Sequence, residues 1–153
     1  MKILITGGGG FVGARLARTL LARGQLNGHP IRTLVLADQI AAPADLLADA
    51  RVQGRTGALL AQCDALRHEP FDGVFHLASA VSGECELDFD LGMRSNLDST
   101  RALLDALRAS GQASGVPTRP SRRASASRSA GATAWSANTM RVMARPSMKP
   151  LRV

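Results

Sequence analysis

The sequence predicts an α/β fold in which a parallel β-sheet carries helices on both faces. Short apolar runs alternate with segments of helical periodicity over residues 1–111, the pattern that strand–helix–strand units produce. The first apolar run also ends in four consecutive glycines that open a helix, which is typical of a tight turn after a buried strand. The periodicity stops near residue 111, so the predicted sheet is partial and ends after its fourth strand.

The charged residues divide the chain into two parts. The formal net charge of +7 comes from 19 Lys and Arg against 12 Asp and Glu, and every acidic residue precedes position 106. We therefore expect one folded domain over residues 1–111 and a basic C-terminal tail over residues 112–153. The tail is rich in Ala, Arg, Ser and Pro and lacks a helical or strand period, a composition typical of disorder.

Composition also excludes several classes of protein. No apolar stretch approaches the ~18 residues of a membrane helix, and the apolar run after Lys2 is too short for a signal peptide. We therefore expect a cytoplasmic protein with no membrane partner. Cys63 and Cys85 form neither a disulfide framework nor a zinc motif, so we expect reduced cysteines and no metal site.

The clearest unit is the first strand, turn and helix at residues 2–24. Lys2 to Thr6 is a buried-strand pattern that stops at Gly7. Apolar residues then recur at helical spacing from Val12 to Leu21, and Gly24 is a plausible C-cap.

The remaining elements follow in alternation. The apolar runs predict strands at 31–37, 51–56 and 72–78. Ala- and Leu-rich segments predict helices at 41–50, 58–68 and 90–109, the last with Leu97, Thr100, Leu104 and Leu107 on its buried face. Right-handed crossovers give a probable strand order of 3-2-1-4.

The glycine turn has the spacing of an anion-binding loop. Gly7 permits a backbone turn that side chains forbid, Gly10 permits close approach of a pyrophosphate to the helix N-terminus, and Gly13 permits close packing of the helix on the strand. The alternative is a glycine-rich turn that binds no ligand.

Asp38 closes the second strand, 25 residues after Gly13. This is near the ~20-residue interval expected for the carboxylate that binds an adenosine ribose. A carboxylate there accepts hydrogen bonds from both ribose hydroxyls and repels a 2′-phosphate, so it favours NAD over NADP. The alternative is an ordinary solvated aspartate at a strand end.

Three stretches resemble a known family. They are ILITGGGGFVGARL, LVLAD and FDGVFHLASAVSGECELDFDLGMRSNLDSTRALLDALR. They resemble the cofactor-binding half of the extended short-chain dehydrogenase/reductases, the NAD-dependent epimerase/dehydratase group, whose TGxxGxxG motif matches Thr6 to Gly13. The resemblance covers residues 1 to about 111. It implies a partial Rossmann fold, NAD as cofactor and, within the family, a dehydrogenase that oxidises a sugar acid.

The resemblance also assigns roles to individual residues. It implies cofactor-binding positions in the turn, at the second strand end and after the fourth strand: Gly7, Gly10, Phe11, Val12, Gly13, Asp38, Leu77, Ala78 and Ser79. It places Ser82 near the nicotinamide or the substrate, with a plain loop serine as the alternative. Asn96 matches a helix asparagine with a structural or proton-relay role, and we interpret His76 as a packed structural residue. Ala58 replaces an aspartate that contacts adenine in other members, which weakens that contact.

The catalytic residues that the resemblance implies are missing. The family oxidises an alcohol with a Tyr-x-x-x-Lys pair and a nearby Ser or Thr, the tyrosinate acting as general base. This sequence contains no tyrosine, and its only lysines are Lys2 and Lys149. We therefore assign no catalytic residue and expect the chain to be inactive as it stands.

The tail has competing interpretations. Out-of-frame translation of a GC-rich gene produces such a composition, which predicts a frameshift between Gly111 and Val116. A basic arm that binds nucleic acid through Arg–phosphate contacts is the less favoured alternative, because Trp135 is its single aromatic residue. A regulatory NAD-sensing module is a third. A sheet that stops after the fourth strand also leaves a free edge, through which we expect self-association.

Overall fold

The computed structural model describes residues 1–110 and the pair Arg141–Val142. Within these residues the strands are β1 (Lys2–Thr6), β2 (Gln25–Leu26), β3 (His29–Pro30), β4 (Thr33–Asp38), β5 (Val52–Thr56), β6 (Gly73–His76) and β7 (Arg141–Val142). The helices are α1 (Phe11–Arg23), α2 (Ala44–Leu47), α3 (Leu59–Leu66), α4 (Ser82–Leu87), α5 (Phe89–Gly92) and α6 (Ser99–Ala109), with a π-helical segment at Met93–Asp98 between α5 and α6.

The main sheet has the order β5-β4-β1-β6-β7. β1 lies at its centre and pairs in parallel with β4 and β6, so that Leu4 stands opposite Val35 on one side and Val74 on the other. β5 extends the sheet in parallel beyond β4. The predicted order 3-2-1-4 and the parallel direction of those four strands are confirmed.

Buried residues cover both faces of the sheet because side chains alternate along β1. Leu4 belongs to a cluster that includes Leu66 of α3 and Leu103 of α6. Ile3 and Ile5 face the other way and pack with Ala17 and Leu20 of α1. Burying one such leucine or isoleucine contributes roughly 1.5–3 kcal/mol, so the two clusters fix β1 and the turn that follows it.

The last helical region differs from its prediction. We predicted one α-helix over 90–109 with Leu97 and Leu104 buried, but Leu97 is 53% exposed and Leu104 is 38% exposed. The buried face consists of Leu103, Ala106 and Leu107. The π-helical segment accounts for Leu97, which lies within it, because its wider turn departs from a 3.6-residue period. Within the regular helix α6, Leu103 is buried in place of Leu104.

Other local elements were not predicted. β2 and β3 form an antiparallel hairpin whose turn contains Asn27 and Gly28, both with positive φ. An Asn-Gly pair is the usual signal of this turn. α4 was missed because none of its residues is buried, so it carries no apolar period. α2 spans four residues instead of ten and starts directly after Pro43.

The edge beyond β6 also differs from its prediction. We predicted no strand after residue 111 and a free edge at β6, but β7 pairs antiparallel there, with Val142 opposite Val74 and Arg141 opposite Phe75. The edge backbone groups of β6 can pair with any extended segment within reach, whatever its side chains. The predicted disorder of the rest of 112–153 concerns residues outside those described.

Candidate functional site

The glycine turn lies at the carboxyl end of β1, between β4 and β6. The backbone N–H of Gly7 donates to Ala37 O at 2.8 Å, which anchors the turn to the end of β4. Ligands of open α/β sheets bind at this edge, where neighbouring connections leave in opposite directions. The structure thus brings the turn, Asp38 and residues 77–79 to one cleft.

Two of the motif glycines are required by the protein itself. Gly7 has φ +73°, and a Cβ there would lie 2.8 Å from Ala78 N. A Cβ on Gly13 would lie 2.1 Å from the carbonyl oxygen of Gly7. Both contacts are with backbone, which has little freedom to move aside, so these two positions exclude every side chain.

Gly10 differs from its neighbours in the motif. Its φ is −74°, which any residue adopts, and the nearest atom to an added Cβ is Gly7 O at 3.4 Å, an ordinary contact. The fold therefore leaves room for a methyl group at Gly10. Gly10 is the N-cap residue of α1, so a ligand bound at that helix N-terminus would lie next to it.

That N-terminus offers uncapped backbone donors. α1 is 13 residues long, no side chain caps its first turn, and the first turn contains no acidic residue. Phe11 and Val12, which open the helix, are 83% and 61% exposed. Free N–H groups and the positive end of the helix dipole stabilise an anion such as a pyrophosphate.

Asp38 has a function in the fold that the sequence analysis missed. Its Oδ2 accepts hydrogen bonds from Gly9 N at 2.9 Å and Gly10 N at 3.1 Å, and its Oδ1 accepts from Gln39 N at 2.6 Å. The half-buried carboxylate therefore holds the glycine turn in place.

The segment after β6, residues 77–79, forms the third wall of the cleft, beside the glycine turn and Asp38. Leu77 N donates to Thr6 O at 3.0 Å, and the Thr6 hydroxyl oxygen lies 3.4 Å from Ala78 N. Leu77 and Ala78 are half-buried against Gly7, while Ser79 is exposed. They lie beside the glycine turn, and their contact with a nucleotide stays a prediction.

A separate open cavity of about 380 Å³ lies next to this wall and contains Ser82. Its lining residues are Ala80, Ser82, Cys85, Glu86 and Asn96. Asn96, in the π-helical segment, accepts from Ala80 N at 2.7 Å and donates to Ala80 O at 3.1 Å. Asn96 thus clamps the loop that separates the cleft from the cavity. π-Helical segments are frequent at functional sites, but a 3.6-residue period could not reveal this one.

Known proteins are similar to the part of the chain that contains the cleft and the cavity. The model of the NAD dependent epimerase/dehydratase family matches residues 3–120. The chain is 51% identical over 116 residues to D-erythronate dehydrogenase of Cupriavidus necator, and 44% identical over 110 residues to that of Haemophilus influenzae. Each alignment covers 71% of this chain but only 35% and 34% of the relatives. The chain therefore spans about a third of their length.

Solved structures are similar to the same part of this chain. The nucleoside-diphosphate-sugar epimerase of Agrobacterium tumefaciens is 40% identical, with a TM-score of 0.66 over 75% of this chain and 34% of that chain. A double mutant of the dTDP-glucose 4,6-dehydratase of Streptomyces venezuelae, solved with NAD bound, is 26% identical, with a TM-score of 0.63 over 72% of this chain and 37% of that chain. In the described part of this chain, no helix is long and apolar enough to cross a bilayer. Because the family model covers most of its length, this chain belongs to the NAD dependent epimerase/dehydratase family.

Proposed function

We propose that this chain is the NAD-binding portion of an oxidoreductase. The observation that carries the proposal is Gly10, where the protein has room for a methyl group beside a helix N-terminus that no side chain caps. Uncapped donors behind Gly10 suit a pyrophosphate. NAD, when bound, accepts the hydride of an oxidation. Solved structures of relatives of this chain with NAD bound support this choice of dinucleotide.

Each wall of the cleft has a separate part in holding the cofactor. Phe11 and Val12 bind the pyrophosphate through their backbone N–H groups, Gly10 leaves room for it, Asp38 binds the adenosine ribose, and residues 77–79 lie along the nucleotide. The residues present fit the cofactor, because an anion-binding helix end lies next to the carboxylate acceptor of Asp38.

Asp38 makes the cofactor preference testable. Its carboxylate would face the 2′-phosphate of NADP, and two like unit charges 4 Å apart repel by about 1 kcal/mol even in bulk water. We expect calorimetric titration to give about fivefold or more tighter binding of NAD than of NADP. Asp38→Asn should narrow this difference by removing the charge. Tighter binding of NADP by the unaltered chain would contradict the role given to Asp38, and no binding of either would contradict the proposed function.

We further propose that a sugar acid is the substrate of the complete enzyme, as the two D-erythronate dehydrogenase relatives suggest. The cavity beside Ser82 supplies the hydroxyl of Ser82 and the carboxylate of Glu86. Because Glu86 repels the acid group of such a substrate, the hydroxyls of the sugar face this cavity and its carboxylate points away.

A further inference from the structure

A chain of side-chain hydrogen bonds joins β1, β6 and α6 beneath the cofactor cleft. The Thr6 hydroxyl lies 2.6 Å from Nδ1 of His76, and Nε2 of His76 lies 2.9 Å from the Thr100 hydroxyl. Thr6 is fully buried, and His76 is half-buried. Both ring nitrogens of His76 are therefore engaged, although the motif analysis gave His76 only a packing role.

The direction of each bond follows from counting protons. The Thr100 hydroxyl donates its one proton to Asn96 O at 2.7 Å, so it accepts from Nε2 of His76. A neutral histidine protonated at Nε2 has an acceptor at Nδ1, which receives the proton of the Thr6 hydroxyl. The lone pairs of Thr6 then accept from Leu77 N at 3.2 Å and Ala78 N at 3.4 Å.

The other protonation states leave conflicts. If Nδ1 carried the proton, the Thr6 hydroxyl oxygen would have to accept from His76 in addition to two backbone N–H donors. The hydroxyl proton of Thr6 would then have no acceptor on His76. Thr100 would also have to abandon Asn96 O in order to donate to Nε2. Burial lowers the pKa of His76 from its ordinary value, which is consistent with a neutral ring.

We propose that His76 is a positioning residue for the cofactor cleft, fixed as the neutral Nε2–H tautomer. By holding the proton of Thr6, it turns the lone pairs of that hydroxyl toward the Leu77 and Ala78 amides. This keeps the 77–79 wall against Gly7, where an added Cβ would meet Ala78 N at 2.8 Å. The inference rests on the proposed function, because the wall it positions is the one proposed to line NAD.

The same chain of bonds reaches the second cavity. Thr100 ends on the backbone carbonyl of Asn96, and the Asn96 side chain clamps Ala80. His76 therefore links the loop on its cofactor side to the helix segment on its cavity side. A shift of the ring would move both.

The first test reads the tautomer directly and needs no ligand. Nitrogen-15 NMR of the full chain shows three histidines, and His76→Asn identifies the His76 signals by their loss. The expected spectrum at neutral pH has a protonated Nε2 and an unprotonated Nδ1. A ring protonated at Nδ1, or at both nitrogens, overturns the inference even if the chain binds NAD.

The second test separates positioning from packing with two amide replacements. His76→Asn can place an acceptor near the Nδ1 position and keep the bond to Thr6, whereas His76→Gln reaches toward Thr100 and leaves Thr6 without its acceptor. We expect His76→Asn to retain slow hydrogen exchange at Ala78 N, and His76→Gln to lose it. NAD affinity should fall by about tenfold in His76→Gln alone, the order expected for one lost hydrogen bond.

If the two replacements changed hydrogen exchange at Ala78 N equally, the positioning role would be overturned. A residue that only packs would respond to the size of its replacement and not to the position of the acceptor atom. The exchange measurement does not depend on NAD. If the unaltered chain has the predicted tautomer and exchange pattern but binds no NAD, the proposed function fails while the role of His76 in holding the wall stands.

Discussion

Gly7, Gly10 and Gly13 share one motif, yet they are glycines for different physical reasons. Gly7 and Gly13 are excluded from carrying a Cβ by backbone contacts of 2.8 Å and 2.1 Å within the protein. Gly10 has no such conflict, and we propose that a bound pyrophosphate is the reason for glycine there. At this scale Asp38 likewise combines two tasks, since it holds the turn and faces the proposed ribose.

Replacing Gly13 by alanine should therefore destabilise the fold. The added methyl group would lie 2.1 Å from Gly7 O, and the helix must move away from the strand to admit it. We expect a loss of about 3 kcal/mol or more, at or beyond the upper end of the usual cost of overpacking. Chemical denaturation measures it, with Gly73→Ala as control, because the nearest atom to a Cβ at Gly73 is 4.0 Å away. Equal stability of the two variants would contradict this account of the turn.

At the scale of elements, prediction succeeded where several local signals coincide. β1 and α1 combine a buried run, a glycine turn and the C-cap at Gly24, whose φ is +65°, and their bounds followed from the sequence. α4 and the π-helical segment have no comparable signal, because one buries nothing and the other breaks the helical period. The hydrogen bonds of Asn96 to the Ala80 backbone depend on that segment. The sequence therefore singled out Asn96 but could not predict its contact with Ala80.

The connection from α2 to β5 provides a prediction about pH. Asp49 accepts hydrogen bonds from the Arg51 side chain at 2.6 and 2.9 Å and from its backbone N–H at 2.9 Å, and this lowers the pKa of Asp49 from 3.8 to about 2. Since the folded pKa lies below the unfolded one, the stabilisation is present above pH 3.8 and is lost as pH falls toward 2. The unaltered chain should be more stable than Asp49→Asn above this window and should converge with it below.

Unfolding curves from pH 6 downward, at steps of about half a pH unit, measure this convergence. Asp64→Asn is the control, because its carboxylate is 93% exposed and lies 3.4 Å from Arg67. We expect Asp64→Asn to change the free energy of unfolding little, because exposed ion pairs contribute little to stability. A constant difference between the unaltered chain and Asp49→Asn down to pH 2 would contradict the assignment.

At the scale of the whole molecule, the chain combines a proposed cofactor cleft with a sequence that lacks the tyrosine its family resemblance implies. The alternation of elements predicted the four parallel strands, and the edge pairing of β7 could not be predicted because its two residues carry no strand pattern. The sequence has no tyrosine to act as the family's general base. We therefore expect this chain to bind the cofactor without oxidising a substrate.

We accordingly expect no dehydrogenase turnover by these 153 residues. The sequence has no tyrosine to take the hydroxyl proton of an alcohol, so we expect that a bound cofactor is not reduced. Absorbance of NADH during incubation with NAD and D-erythronate measures the reaction. Sustained NADH production by the purified chain would show that another residue supplies the base.

The proposed binding of NAD at the glycine turn is tested most directly by the affinity of three chains for NAD. Calorimetry compares the unaltered protein, Gly10→Ala and Gly73→Ala, the last altered at the opposite end of the sheet. All three should unfold at similar temperatures, because the protein has room for each methyl group. We predict that Gly10→Ala alone loses affinity, by about tenfold or more, since its methyl group collides with the pyrophosphate. Equal affinity of Gly10→Ala and the unaltered chain would contradict the proposed site.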